Sequence, residues 1–267
     1  MNLIEKAICS LLGVNQIEKK LLRCQSYRPG SISKWKSQLN INWLDTANVL
    51  KAIDIYDAGR IKKIIHDIVV SNQELFNRPN LYITAFGSQG KSGGQIAYQF
   101  KHTQLNAQLN FVDGWALSKL PQDSTVVFVD DLIGTGTQST EFIVDKLNLL
   151  INPSSDPYLL TICATPEGIA KVESETNFNV ITGIILTENE HQYYSENNNY
   201  FSAKLKGRLK EINGKLKKSR RFDYDKGLLV TFFYSPPNNS MPMLWKDKFL
   251  YNDNGEEKMW FALIPRQ

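Results

Sequence analysis

Two acids stand side by side at Asp130 and Asp131, and Gly134-Thr135-Gly136-Thr137 follows just after them. Adjacent carboxylates suit the paired hydroxyls of a ribose. A Gly/Thr loop that enters a helix offers backbone N–H groups and hydroxyls to a phosphate, with the positive end of the helix dipole behind them. A second small-residue loop, Gly87-Ser88-Gln89-Gly90-Lys91-Ser92-Gly93, can form an anion nest of backbone amides with a lysine beside it. The chemistry these residues suggest is the holding of a phosphorylated sugar. A plain strand end followed by a tight turn fits the acids and glycines as well.

The elements that must position these groups can be read from hydrophobic patterning. Short apolar runs at Leu81–Phe86, Leu109–Val112, Thr125–Val129, Tyr158–Ala164 and Asn179–Leu186 alternate with helix-like stretches at Gln95–Lys101, Gln138–Leu150 and Pro166–Ser174. That alternation predicts an α/β fold with a doubly wound, mostly parallel sheet, whose ligands sit at the carboxyl ends of the strands. Residues 1–77 read as a helical N-terminal cap. Its clearest helix opens near Asp57 and turns Ile61, Ile64, Ile65, Ile68 and Val69 to one side. The core is expected over 78–190. A basic insertion, the strand-like run Leu228–Tyr234 and a Pro/Asn-rich C-terminal segment follow over 191–267.

Val126-Val127-Phe128-Val129-Asp130-Asp131-Leu132-Ile133-Gly134-Thr135-Gly136-Thr137 resembles the PRPP-binding motif of type I phosphoribosyltransferases: four apolar residues, two acids, two apolar residues and the Thr-Gly loop. The resemblance implies that Asp130 and Asp131 bind the ribose 2′ and 3′ hydroxyls, directly or through Mg²⁺. Gly134, Thr135, Gly136, Thr137 and Ser139 would hold the 5′-phosphate. Gly87 through Gly93 would be the pyrophosphate loop, with Lys91 neutralising the leaving group. The N-terminal helices and C-terminal tail would supply the hood over the acceptor. Gly134 stands where purine enzymes of that family often place an acid, and Gln138 where many members have Thr, which sets the chain apart from ordinary purine salvage.

Cys163-Ala164-Thr165-Pro166-Glu167-Gly168 resembles the loop lying near the acceptor in that superfamily, which brings in Thr165 and Glu167. A simple strand-to-helix turn explains it equally well. The tail Pro237-Asn238-Asn239-Ser240-Met241-Pro242-Met243-Leu244-Trp245, with Trp260 and Pro265-Arg266, resembles the ending of phosphoribosyltransferase-like effectors of bacterial antiphage conflict systems, including retron-associated ones. That resemblance adds Asn239 and Trp245 as acceptor candidates. It implies a toxic effector held silent in an assembly with a reverse transcriptase and its DNA-RNA product. Two other readings remain open. Gly90-Lys91-Ser92 satisfies a relaxed P-loop pattern with Ala85 in place of the usual first Gly, which would make the chain an NTPase. Alternatively, the fold binds PRPP or nucleic acid without catalysis.

The net charge of +4 is local: Lys204 through Arg221 holds nine basic residues and one acid, which leaves about −4 for the rest. Such a stretch can meet a nucleic-acid backbone, with Phe222 and Tyr224 stacking on bases. It also fits a solvated helical hairpin turning at Asn213-Gly214, with Leu205, Leu209, Ile212 and Leu216 facing the core. Cys9, Cys24 and Cys163 are too scattered for a disulfide framework or a zinc site. No apolar run approaches the ~20 residues that cross a bilayer, and the interrupted apolar pattern after Met1 is unlike a signal peptide. A cytoplasmic protein is expected.

Overall fold

The structure is a computed structural model that describes residues 3–88, 90–103, 105, 109–152, 155–216, 226–251 and 257–266. Helices α1 (Leu3–Leu11), α2 (Val14–Leu21), α3 (Ile32–Leu39) and α4 (Trp43–Lys51) open the chain, followed by strand β1 (Asp54–Tyr56). Next come α5 (Ala58–Ser71), α6 (Gln73–Phe76), β2 (Leu81–Ala85), α7 (Ser92–Lys101), β3 (Asn110–Phe111) and β4 (Thr125–Ile133). After α8 (Thr137–Asp145), β5 (Asp156–Ala164), α9 (Pro166–Glu175) and β6 (Asn179–Ile185), the chain continues into α10 (Glu188–His191) and α11 (Ala203–Leu216). It ends with β7 (Val230–Phe232), α12 (Pro242–Trp245), β8 (Lys248–Tyr251) and β9 (Glu257–Trp260).

Packing divides the chain into two compact units: Ala58–Thr187, and the residues before and after it taken together. The middle unit is built on a parallel sheet in the order β3-β2-β4-β5-β6. Both faces of β4 are buried, so its sequence is a continuous apolar run rather than an alternating one. Val126 and Phe128 join Leu159, Ile143 of α8 and Val172 of α9 in one cluster. α5 packs against β5 and β6, and α7 against β2 and β4. The expected doubly wound α/β sheet is therefore present. Helix α5 buries the five apolar residues read from its spacing. It belongs to the sheet's unit, because its isoleucine face meets that sheet.

The other unit draws on both ends of the chain. β1 pairs in parallel with β7, aligning Asp54 with Val230 and Tyr56 with Phe232. The Trp35 indole N–H donates to the Met243 carbonyl at 3.1 Å. The Gln38 side chain exchanges two hydrogen bonds with the Phe261 backbone. One core joins Leu21, Trp35 and Leu39 to Leu209, Leu244 and Leu263. The linear division into 1–77, 78–190 and 191–267 thus differs from the packing, which joins sequence-distant ends through this core. The hairpin expected at Asn213-Gly214 is replaced by a helix that runs unbroken to Leu216. The buried Asn213 amide explains why: it donates to the Leu209 carbonyl and accepts the Met243 N–H at 2.7 Å, so its polar groups find partners within the helix and beside it.

Candidate active site

β4 extends beyond the expected strand end and carries Asp130 and Asp131 within its last turn of pairing. Its two neighbours leave it at different points. β2 stops pairing at Ala85 opposite Val129, with one more bond from the Phe86 N–H to the Val129 carbonyl at 2.9 Å. β5 stays paired through Ile133, and the Thr165 N–H still donates to the Ile133 carbonyl. From Asp130 onward β4 therefore has a neighbour on one side only. The opening faces β2, where the connections of the sheet reverse direction. Parallel sheets bind ligands at such a switch point.

On the β2 side the chain turns through Gly87 and Gly90, both at positive φ, into α7. No side chain caps the start of α7 at Lys91. Gly93 lies where a Cβ would meet the Phe86 backbone N at 2.7 Å and the Val129 carbonyl at 2.8 Å. The absence of a side chain is what lets α7 dock on the ends of β2 and β4. That docking brings the Ser92 hydroxyl to Asp130, where it donates to Oδ1 at 2.7 Å. The Asp131 N–H donates to the same oxygen at 2.9 Å. Asp130 is half-buried and Asp131 buried. Burial, and then the charge of Asp131, push the Asp130 carboxyl well above the usual carboxylate range, while Ser92 and the Asp131 N–H pull it back.

The second loop leaves β4 and enters α8 through Gly136, at φ 76°, again with no side-chain cap. Thr135 and Thr137 are half-buried, while Gly134, Gly136 and Ser139 are buried. Two helix starts, α7 and α8, whose N-cap residues Lys91 and Gly136 make no side-chain cap, thus adjoin the acid pair, an arrangement suited to anionic groups. Of the residues assigned to the pyrophosphate loop, Gln89 lies outside the described residues.

The acceptor candidates fare differently. Thr165 is fully buried, and its hydroxyl donates to the Gly134 carbonyl at 2.5 Å while accepting the Gly168 N–H at 3.1 Å. It caps α9, with its hydroxyl both donating and accepting within the chain. Its position directly before Pro166 is a helix-start signal that could have identified this role. Gly168, a residue of the packing that its own residue type does not flag, lies against Gly134 with no room for a side chain. Glu167 is exposed on the first turn of α9. In the other unit Asn239 is buried, and Trp245 donates its indole N–H to the Ser240 carbonyl with Arg266 over its ring.

A family model described as PRTase-CE matches residues 32–266. The chain belongs to the PRTase-CE family. The match runs through the acid pair, both loops and the C-terminal tail of this PRTase-CE chain. Its solved structural neighbours include an orotate phosphoribosyltransferase from Aeropyrum pernix, at 17% identity over 48% of this chain and 70% of that one, with TM-score 0.33. A hypoxanthine-guanine-xanthine phosphoribosyltransferase is similar at 19% identity, covering 55% and 87%, with TM-score 0.35. An adenine phosphoribosyltransferase from Leishmania tarentolae matches at 12% identity, covering 48% and 71%, with TM-score 0.34. No curated protein matches the chain.

The basic stretch is only partly exposed charge. Lys206 donates to the Ser195 and Asn198 carbonyls, and Arg208 to the Leu39 carbonyl. Arg208 and Lys215 both pair with Glu211. Lys217, Lys218, Ser219, Arg220, Arg221, Phe222 and Tyr224 lie outside the described residues. Cys9, Cys24 and Cys163 are buried and in no disulfide, and burial pushes the Cys24 thiol up to about 11. No helix among the described residues is long and apolar enough to cross a membrane.

Proposed function

We propose that this PRTase-CE protein is a phosphoribosyltransferase that binds PRPP with Mg²⁺ and transfers its ribosyl-phosphate group to a nucleobase, nucleotide or nucleic-acid acceptor. The observation that carries the reading is the Ser92–Asp130 hydrogen bond, which joins the Gly87–Gly93 loop to the acid pair of β4. In this reading Asp130 and Asp131 accept from the ribose hydroxyls, Gly134–Thr137 and Ser139 hold the 5′-phosphate, and Gly87–Gly93 with Lys91 hold pyrophosphate. An acceptor lone pair forms the new bond to C1 as the C1–O bond breaks. The electron pair leaves with pyrophosphate, and the acceptor loses a proton. The acids lie against the sugar, where they stabilise positive charge developing on the ring, and Lys91 lies against the negative charge of the leaving group.

The donor set fits Mg²⁺. Among the described residues no group of three or more His, Cys, Asp or Glu side chains could hold a metal. A pair of carboxylates suits an ion that takes one or two protein oxygens and completes its shell from substrate phosphates and water. When bound there, the ion would neutralise phosphate charge and favour ionised Asp130.

The NTPase reading has less support. Ala85, where a P-loop has its first glycine, is the last residue of β2 and paired opposite Val129. Titration calorimetry of PRPP with Mg²⁺ tests the proposal against wild type and the Asp130→Asn/Asp131→Asn double variant. The expected result is binding that the double variant loses, with pyrophosphate released once an acceptor is supplied. Binding of PRPP without turnover on any base, nucleotide or RNA acceptor would indicate a sensor. ATP hydrolysis that depends on Lys91, without PRPP binding, would overturn the proposal.

We further infer that the protein acts in the cytoplasm as the toxic effector of an antiphage system, in an assembly with a reverse transcriptase and its DNA-RNA product. The C-terminal tail resemblance and the PRTase-CE membership support this reading. Expression of the isolated protein should slow bacterial growth, and the double variant should not. Equal growth with wild type and variant would count against it.

A further inference from the structure

We infer that Thr165 is a positioning residue that arms the 5′-phosphate loop, with the start of α9 acting on the Gly134 peptide instead of on a ligand. The inference rests on the phosphate-binding reading of Gly134–Thr137 and extends it to a residue outside that loop. Thr165 Oγ1 donates to the Gly134 carbonyl at 2.5 Å and accepts from the Gly168 N–H at 3.1 Å. A Cβ on Gly168 would collide with the Gly134 carbonyl, and one on Gly136 would meet the Gly168 carbonyl at 2.7 Å. The first turn of α9 is therefore in direct contact with the loop, and nothing larger than glycine fits at either point.

The consequence follows from peptide geometry. In a planar trans peptide the carbonyl of one residue and the N–H of the next point in opposite directions. There is no cis bond here, so fixing the Gly134 carbonyl against α9 fixes the Thr135 N–H pointing away from α9, at a half-buried residue. The electrostatics act in the same sense. The positive end of α9 and the Thr165 O–H both polarise the Gly134 carbonyl, which makes the N–H across the same peptide a stronger donor. α7 and α8 start without side-chain caps, whereas α9 is closed by Thr165 and directed at a backbone carbonyl.

The test is calorimetry of ribose 5-phosphate and, separately, of pyrophosphate with Mg²⁺ on wild type, Thr165→Val and Thr165→Ser, with a thermal melt of each. Valine keeps the shape but loses donor and acceptor, whereas serine keeps both. The expected result is a loss of about 10- to 100-fold in ribose 5-phosphate affinity for Thr165→Val, with pyrophosphate affinity retained and Thr165→Ser close to wild type. Equal weakening of both ligands, no weakening at all, or a serine variant as poor as valine would overturn the inference. Wild type that binds neither ligand would sink the phosphate-loop reading itself, and this inference with it. Should Thr165→Val fail to fold, the Thr135 amide resonance of wild type decides. A downfield shift with ribose 5-phosphate supports the assignment, and an unmoved resonance overturns it.

Discussion

Asp130 sits in an environment that opposes its own charge: it is half-buried and beside Asp131, with Ser92 and one backbone N–H in partial compensation. The thermodynamic sign follows directly. A carboxyl whose folded pKa is raised holds its proton to higher pH than in the unfolded chain. Stability is then fully present below the ordinary value near 3.8 and declines as pH rises through the folded value. Without ligand, Asp130→Asn is therefore expected to flatten this decline and raise the neutral-pH melting temperature, by about 2–4 °C for each kcal/mol relieved. Thermal melts across pH check this, and a variant less stable than wild type at pH 7 would contradict it. The same substitution should abolish PRPP binding, so stability and ligand affinity move in opposite directions at one residue. Ser92→Ala removes a compensating hydrogen bond and should raise the Asp130 carboxyl further, extending the decline to higher pH.

Helix α7 provides the clearest contrast at the scale of an element. Gly93 and Gly94 are consecutive in its first turn, and helix propensity alone says that alanine at either should help by up to ~1 kcal/mol. Packing separates them. Gly94 has open space around it, while Gly93 is wedged against the ends of β2 and β4. Gly94→Ala is expected to stabilise by about 0.5–1 kcal/mol, and Gly93→Ala to destabilise by about 1–3 kcal/mol or more. Chemical denaturation measures both, and like signs would refute the account. This pair also marks how far the sequence could be read. Strand runs and the apolar face of α5 were legible because each element's own period reports its burial. The acid pair and both glycine loops were legible because their residue types are unusual at a strand end. The closeness of Gly93 to Val129, the engagement of Thr165 by Gly134 and the straight course of α11 through Asn213 each depend on a partner tens of residues or more away. No local pattern encodes such partners.

Over the whole molecule, the unit built from both ends of the chain has a core that neither end supplies alone. Leu263 is fully buried in it beside Trp35 and Leu39 of α3. Leu263→Ala is expected to cost about 2–5 kcal/mol and to speed amide exchange in α3, although the two sites are far apart in sequence. Unchanged protection in α3 would mean that the shared core is weaker than its burial implies. The arrangement also sets a timetable for synthesis. Trp35 waits for Met243, 208 residues later, before its indole N–H has an acceptor. At translation rates of about 5–20 residues per second, the four opening helices spend roughly 10–40 s without the C-terminal half of their core. The strands and loops of the proposed active site emerge within that interval, so the unit that carries them is complete before the other unit has both halves of its core.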